Sequence, residues 1–292
     1  MDTYGAARGI HAWLGEVYLK QIATQDWETE SIFSRDDWDI LLVLDACRYD
    51  LFTEVEPEFD FITRTESRFS PASCTWEWLP TLLRDTPPEQ LDETAYVTGN
   101  PQSQHYVDDE FGYLDEVWQY GWDDDLGTVP PRPVTDRAIS YWREDQHLDK
   151  MIVHYMQPHV PFIPSADSPV LTRDTFRPND VAVADDWILL GRGDREFDDV
   201  WHDYRENLRF VLDDVAVLLE NVDAETVVLT SDHGNAVGEY GVYGHPDVPL
   251  EALRKVPWAF ATATDERTHE PREYSRESAK SVKSKLEDLG YW

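Results

Sequence analysis

A chain of 292 residues is long enough to bury a substantial core as a single α/β unit. Its 59 acidic side chains against 25 Lys and Arg give a formal net charge of -34, spread along the length, which excludes the basic footprint that nucleic-acid binding requires. The same chain is 41% hydrophobic with twelve Trp, which excludes intrinsic disorder and matches the acid-coated proteins of salt-loving archaea, where salt screens the repulsion between carboxylates.

The opening residues, "MDTYGAARGIHAWLGEVYLKQ", lack the charged-then-apolar layout of a signal peptide. Ile10, Trp13, Leu14, Val17, Tyr18 and Ile22 fall at helical spacing, predicting an amphipathic helix within 1–24. Its polar face is not basic, so docking on the domain is favoured over peripheral membrane contact. No run reaches the roughly 18 apolar residues of a spanning helix, and two cysteines in so long a chain are no disulfide framework. A soluble protein in a reducing cytoplasm is the expectation, with oligomeric state left open.

In "DILLVLDACRYDLF" the apolar run Ile40 to Leu44 predicts a buried strand ended by Asp45, with a helix starting across Ala46 to Phe52. "FDFITRTES" predicts a short strand at 59–64, and "SPASCTWEWLPTLLRD" a helix capped by Ser or Thr. "TAYVTGNP" reads as a strand ending at Gly99, Asn100 and Pro101. Residues 101–133, rich in aromatics, acids and Pro without a period, read as a substrate-shaping excursion, as do 165–197. Between them come a helix at 134–147 and a strand from Met151 that leads to His154 and His159.

The longest helical pattern carries Val200, Tyr204, Leu208, Val211, Leu212 and Val215 on one face. Thr226 to Thr230 then form a second buried strand ended by Asp232, His233 and Gly234, followed by "VPWAFATAT" as a strand and "YSRESAKSVKSKLEDLG" as a final helix. Alternating strands and helices predict one domain over 1–292, a three-layer α/β/α sandwich around a largely parallel sheet.

In such sheets ligands bind beyond the carboxyl ends of the strands. There the pattern gathers Asp45, a hydroxyl or thiol among Ser73, Cys74 and Thr75, His159, Asp232 with His233, and His245. Carboxylates, imidazole and an alkoxide suit zinc, or manganese or calcium where oxygen dominates. Each residue also has a plainer role: Thr75 or Ser73 as a helix N-cap, Asp45 as a turn cap, and His154 as a packed strand histidine. Arg48 either pairs with the acids around it or reaches an anionic substrate, and Asn100 and Asn235 are candidate hydrogen-bonders to substrate.

"LLVLDACRYDLF", "SPASCTWEWLPTLL", "VHYMQPHVPF" and "LTSDHGNAVGEYGVYGHP" together resemble the alkaline phosphatase superfamily, especially its sulfatase-like branch of hydrolases and transferases, over about residues 39 to 260. The resemblance implies Asp45, Asp232 and His233 as metal ligands, with the helix-head residue as nucleophile and further ligand. It implies His159 and His245 on the transferring group or the leaving oxygen. Two departures matter. Ala46 follows Asp45 where sulfatases carry paired acids, and Cys74 lacks the "x-Pro-x-Arg" that signals conversion to formylglycine. Aligning Leu82 and Leu83 with the family's apolar pair favours Thr75 as nucleophile, with Cys74 and Ser73 as alternatives. The expectation is a metal-dependent enzyme acting on small-molecule, glycan-linked or lipid-linked phosphate or sulfate esters; a binding or scaffold protein that keeps the fold without turnover is the other reading.

Overall fold

The structure, a computed structural model, describes residues 27–29, 31–34, 37–144, 148–171 and 184–274. The helices expected at 1–24 and after Tyr274, and part of the second excursion, lie outside the described residues. Seven strands form one sheet in the order β2-β9-β6-β1-β5-β3-β4. They are β1 (Ile40–Leu44), β2 (Arg64–Phe69), β3 (Thr94–Thr98), β4 (Tyr113–Glu116), β5 (Lys150–Tyr155), β6 (Ala224–Thr230) and β9 (Lys255–Ala263). A separate ribbon pairs β7 (Ala236–Val237) with β8 (Tyr243–Gly244). The run β6-β1-β5-β3-β4 is parallel, while β9 runs antiparallel to both β6 and β2.

Every residue of β1 and β3 is buried, which is why β1 reads as an unbroken apolar run with no alternation. Ile40, Leu42 and Leu44 enter one core with α1 (Tyr49–Val55), α3 (Pro131–Trp142) and α5 (Phe197–Leu219). Leu41 and Val43 enter a second core on the opposite face, with Trp78, Leu79 and Leu82 of α2 (Thr75–Asp85). Two cores on the two faces of one sheet make the expected three-layer sandwich. A further helix, α4 (Asp186–Arg192), packs Trp187 against Tyr204 of α5 with ring centroids 5.1 Å apart.

Local corrections have physical causes. The strand expected at 59–64 lies at 64–69, where "RTESRF" forms a polar edge paired with β9; edge strands carry charge, so the apolar "FDFI" was the wrong signal. The helix expected at 134–147 starts at Pro131, whose missing N–H costs nothing in a first helical turn. The first excursion contributes β4, an edge strand beside β3.

Candidate active site

Parallel pairing in register brings the carboxyl ends of β6, β1, β5 and β3 to one edge of the sheet. Asp45 follows β1 directly, Asn100 follows β3 by two residues, and Asp232 and His233 leave β6 after Ser231. Ala46 turns the chain behind Asp45 in the left-handed region at φ 61°, a conformation costly for a residue with a Cβ. Its N–H donates to Asp232 Oδ1 (3.1 Å) and its carbonyl accepts from the Tyr204 hydroxyl. The turn thereby couples the ends of β1 and β6. Gly234 is required by close approach, since a Cβ there would lie 2.3 Å from the Ala252 carbonyl oxygen.

Thr75 is the first residue of α2, behind an N-cap, Cys74, whose side chain makes no capping bond. Its hydroxyl does not cap the helix; it donates to Asp232 Oδ2 at 2.6 Å and lies 3.4 Å from His233 Nε2. His233 Nε2 is also 3.6 Å from Asp45 Oδ1 and 3.5 Å from Asp232 Oδ2. Thr75 Oγ1, Asp232 Oδ2 and Asp45 Oδ1 thus all lie within 3.6 Å of His233 Nε2. Ser73 instead faces Glu77 (3.4 Å), and burial followed by the Glu77 charge pushes the Cys74 thiol up, keeping it protonated.

The protonation states of this cluster follow from burial. Burial, then the Asp232 charge, push the Asp45 carboxyl well above the usual carboxylate range. Burial acts likewise on Asp232 but is outweighed by the His233 and His154 imidazoles, the Thr75 hydroxyl and the Ala46 N–H, which hold it low. None of the hydrogen bonds or ion pairs made by either carboxylate among the described residues comes from Lys or Arg. Asp45 Oδ1 and His154 Nε2 are buried without a hydrogen-bond partner among the described residues. Two buried carboxylates, an orphaned oxygen and an orphaned imidazole nitrogen fit a divalent cation, which would satisfy them together.

The imidazoles are oriented for the same task. A carbonyl oxygen only accepts, so the contact of His233 Nδ1 with Gly234 O (2.8 Å) places a proton on Nδ1 and turns Nε2 toward the carboxylates. His159 Nδ1 meets Val160 O (2.6 Å) and His245 Nδ1 meets Asn235 Oδ1 (2.9 Å), baring Nε2 in both rings. Burial pushes His159 down to about 4, and His245 falls through burial and then the nearby His233 and His159, so both rings are neutral near pH 7. The His245 ring lies 4.7 Å from that of His233 and 5.1 Å from that of His159.

Two expected substrate groups are held by neighbouring side chains. Arg48 is held by both oxygens of Asp50 (2.8 and 2.6 Å), by Glu239 (2.7 Å) and by the Asn235 carbonyl (2.7 Å), so its charge is already matched. Asn235 orients His245, and Asn100 Nδ2 donates to Asp45 Oδ2 at 2.6 Å, with Thr75 Oγ1 at 3.5 Å. Asn100 therefore touches both Asp45 and Thr75.

Other members were not found from sequence. His154, expected as a packed strand residue, is fully buried, yet it turns Nε2 to 4.0 Å from Asp45 Oδ2 and 3.9 Å from Asp232 Oδ2 while Tyr96 holds Nδ1 (2.8 Å). Asp45, His154 and Asp232 bring one ligand atom each within 4.8 Å of one another. His233 Nε2 lies somewhat nearer to the two carboxylates, at 3.6 and 3.5 Å, than His154 Nε2 does. Asn207 of α5 donates to the carbonyls of Pro158 (3.1 Å) and His159 (3.0 Å) and accepts from the Ile163 N–H (3.1 Å), holding the His159 loop. Its signal was present: an Asn in the apolar stripe of the long helix.

No protein-family model and no curated protein matches the chain. Among solved structures, the integral membrane lipooligosaccharide phosphoethanolamine transferase A of Neisseria meningitidis is similar at TM-score 0.52 and 14% identity, over 84% of this chain and 50% of that one. Its soluble domain gives 0.50 at 12% identity, over 88% and 84%. A protein from Bacteroides thetaiotaomicron described as a sulfatase gives 0.51 at 12% identity, over 78% and 65%. The chain thus spans half the length of the intact transferase and under two thirds of the Bacteroides protein. These likenesses establish the alkaline phosphatase-like fold. No helix among the described residues is long and apolar enough to cross a membrane.

Proposed function

We propose that the chain is a metal-dependent hydrolase or transferase of phosphate or sulfate esters that works through a covalent intermediate on Thr75. The observation that supports this reading is the clustering of Thr75 Oγ1, Asp45 Oδ1 and Asp232 Oδ2 within 3.6 Å of His233 Nε2 at the sheet edge. These four residues, with His154 as a further candidate ligand, would hold the cation, which we assign as zinc from the mixed oxygen and nitrogen donors. Once bound, it would lower the pKa of the Thr75 hydroxyl and draw charge from a substrate oxygen. Thr75 Oγ1, held by Asp232 Oδ2 in this structure and losing its proton to solvent as the cation binds, attacks phosphorus or sulfur; the ester bond to the alcohol breaks, and the departing oxygen takes its proton from water. Asn100 Nδ2, between Asp45 and Thr75, fixes the carboxylate and donates toward the attacking oxygen.

His159 and His245 take a different role from the one the resemblance implies. Their bare, neutral Nε2 atoms accept protons, so they activate the water or acceptor alcohol that releases the group from Thr75. Two buried free thiols, Cys47 and Cys74, support a reducing compartment as the working location. A small organic ester, or one linked to a glycan or lipid, is the substrate class.

The test is release of aryl alcohol from an aryl phosphate, a bis-aryl phosphate and an aryl sulfate by the zinc-supplemented chain and by Thr75→Ala. Turnover of one ester class, lost in Thr75→Ala, supports the reading and names the ester. Turnover that survives in Thr75→Ala contradicts it.

A further inference from the structure

The hydroxyl of Tyr204 sits where two parts of the site meet. Tyr204 lies on α5 and is fully buried, its ring enclosed by Trp187 at 5.1 Å, Phe162 at 5.7 Å and Trp201 at 5.9 Å between centroids. Three packed rings leave the hydroxyl little freedom to swing. It donates to the Ala46 carbonyl and accepts from Asn235 Nδ2 at 3.4 Å.

Those two bonds fix a direction. The Ala46 carbonyl can only accept, so it takes the one hydroxyl proton and leaves Tyr204 an acceptor toward Asn235. Asn235 therefore turns its nitrogen to Tyr204 and its oxygen to His245. Arg48 holds the same residue by its main-chain carbonyl at 2.7 Å, so the amide turns on a fixed backbone. An amide oxygen needs a donor opposite, which places the proton of neutral His245 on Nδ1, 2.9 Å away, and leaves Nε2 bare. Without the Tyr204 hydroxyl the amide can present either end, and either ring nitrogen can carry the proton. One helical turn further, Asn207 holds the carbonyls of Pro158 and His159, so one face of α5 braces the segments that carry both histidines.

Resting on the proposed function, we propose that Tyr204 is a positioning residue for release of the group from Thr75, acting through Asn235 to keep His245 Nε2 free to accept a proton. In that step the oxygen of water or an acceptor alcohol bonds to phosphorus or sulfur and its proton moves to His245 Nε2. The electron pair of the breaking bond returns to Thr75 Oγ1.

Tyr204→Phe keeps the ring and removes the hydroxyl alone. Nitrogen NMR of the full zinc-loaded chain with isotope-labelled histidine reads the tautomer, the His245 signals being those absent from His245→Gln. We expect two widely separated ring-nitrogen shifts for His245 in the native chain, drawn together in Tyr204→Phe as the tautomers mix. With an aryl ester that the native chain turns over, Tyr204→Phe should release its first aryl alcohol at the native rate and then turn over about tenfold more slowly, because attack by Thr75 is intact and release is not. Asn235→Ala cuts the same path from the other side and should act alike, with the double variant no slower than the slower single one. Zinc content should stay at the native level in all three. His245 shifts unchanged in both single variants, or a first turnover slowed as much as later ones, would overturn the inference. So would zinc lost in step with activity, which points to the Ala46 turn instead. A native chain that cleaves one ester while both variants release it as fast overturns this inference alone. A native chain that cleaves none contradicts the proposed function, with the NMR still deciding whether Tyr204 sets the His245 tautomer.

Discussion

At the scale of single residues, the reading turns on which helix-head atom reaches the carboxylates. Only Thr75 among the three candidates shares a hydrogen bond with Asp232, so its removal is expected to lower turnover more than about 1,000-fold. Ser73→Ala and Cys74→Ala should leave turnover within a few-fold, because Ser73 faces Glu77 and the Cys74 thiol is held protonated. A comparison of kcat for the three variants checks this directly. Asn100→Ala removes the donor that orients Asp45 and is expected to weaken zinc binding by about 10- to 100-fold, measured by competition with a chelating dye. Asp45, Thr75, Asp232 and His233 were legible because each ends an apolar run or opens a helix. His154 was not: in a strand buried on both faces the alternation that marks which way a side chain points is absent, and its approach to Asp45 depends on the Val43–His154 register, which is non-local.

At the scale of elements, the site depends on two tight connections. The turn behind β6 has no room for a Cβ at Gly234, so Gly234→Ala must push the segment off the Ala252 carbonyl and carry His233 with it. We expect about 1–3 kcal/mol of destabilisation together with weaker zinc binding, read by chemical denaturation and dye competition. The turn behind β1 places Ala46 where a β-branched side chain would be worse strained than Ala, which suits a small residue at the position where sulfatases carry an acid. Buried central strands and the long helix were readable from composition and period alone. The edge strands were not, because β2 and β4 are short, polar or half-exposed and acquire their identity from the neighbour they pair with.

At the scale of the whole molecule, a net charge of -34 sets the conditions under which the fold is stable. Mutual repulsion of that size is screened as the Debye length falls from about 10 Å at 0.1 M salt to about 3 Å at 1 M. The melting temperature should therefore rise by several degrees across that range in KCl, and a flat or falling profile in thermal unfolding would contradict the acid-coat reading. The same acidity makes the two carboxylates at the sheet edge costly unless a cation joins them, and the rest of the account depends on that cation. Elemental analysis of the full chain after dialysis against trace zinc, set beside Asp232→Ala treated identically, is the most direct test. Stoichiometric zinc is expected in the native chain, with its loss in Asp232→Ala; a native chain that retains no zinc, or a variant that retains as much, would contradict a metal-dependent site.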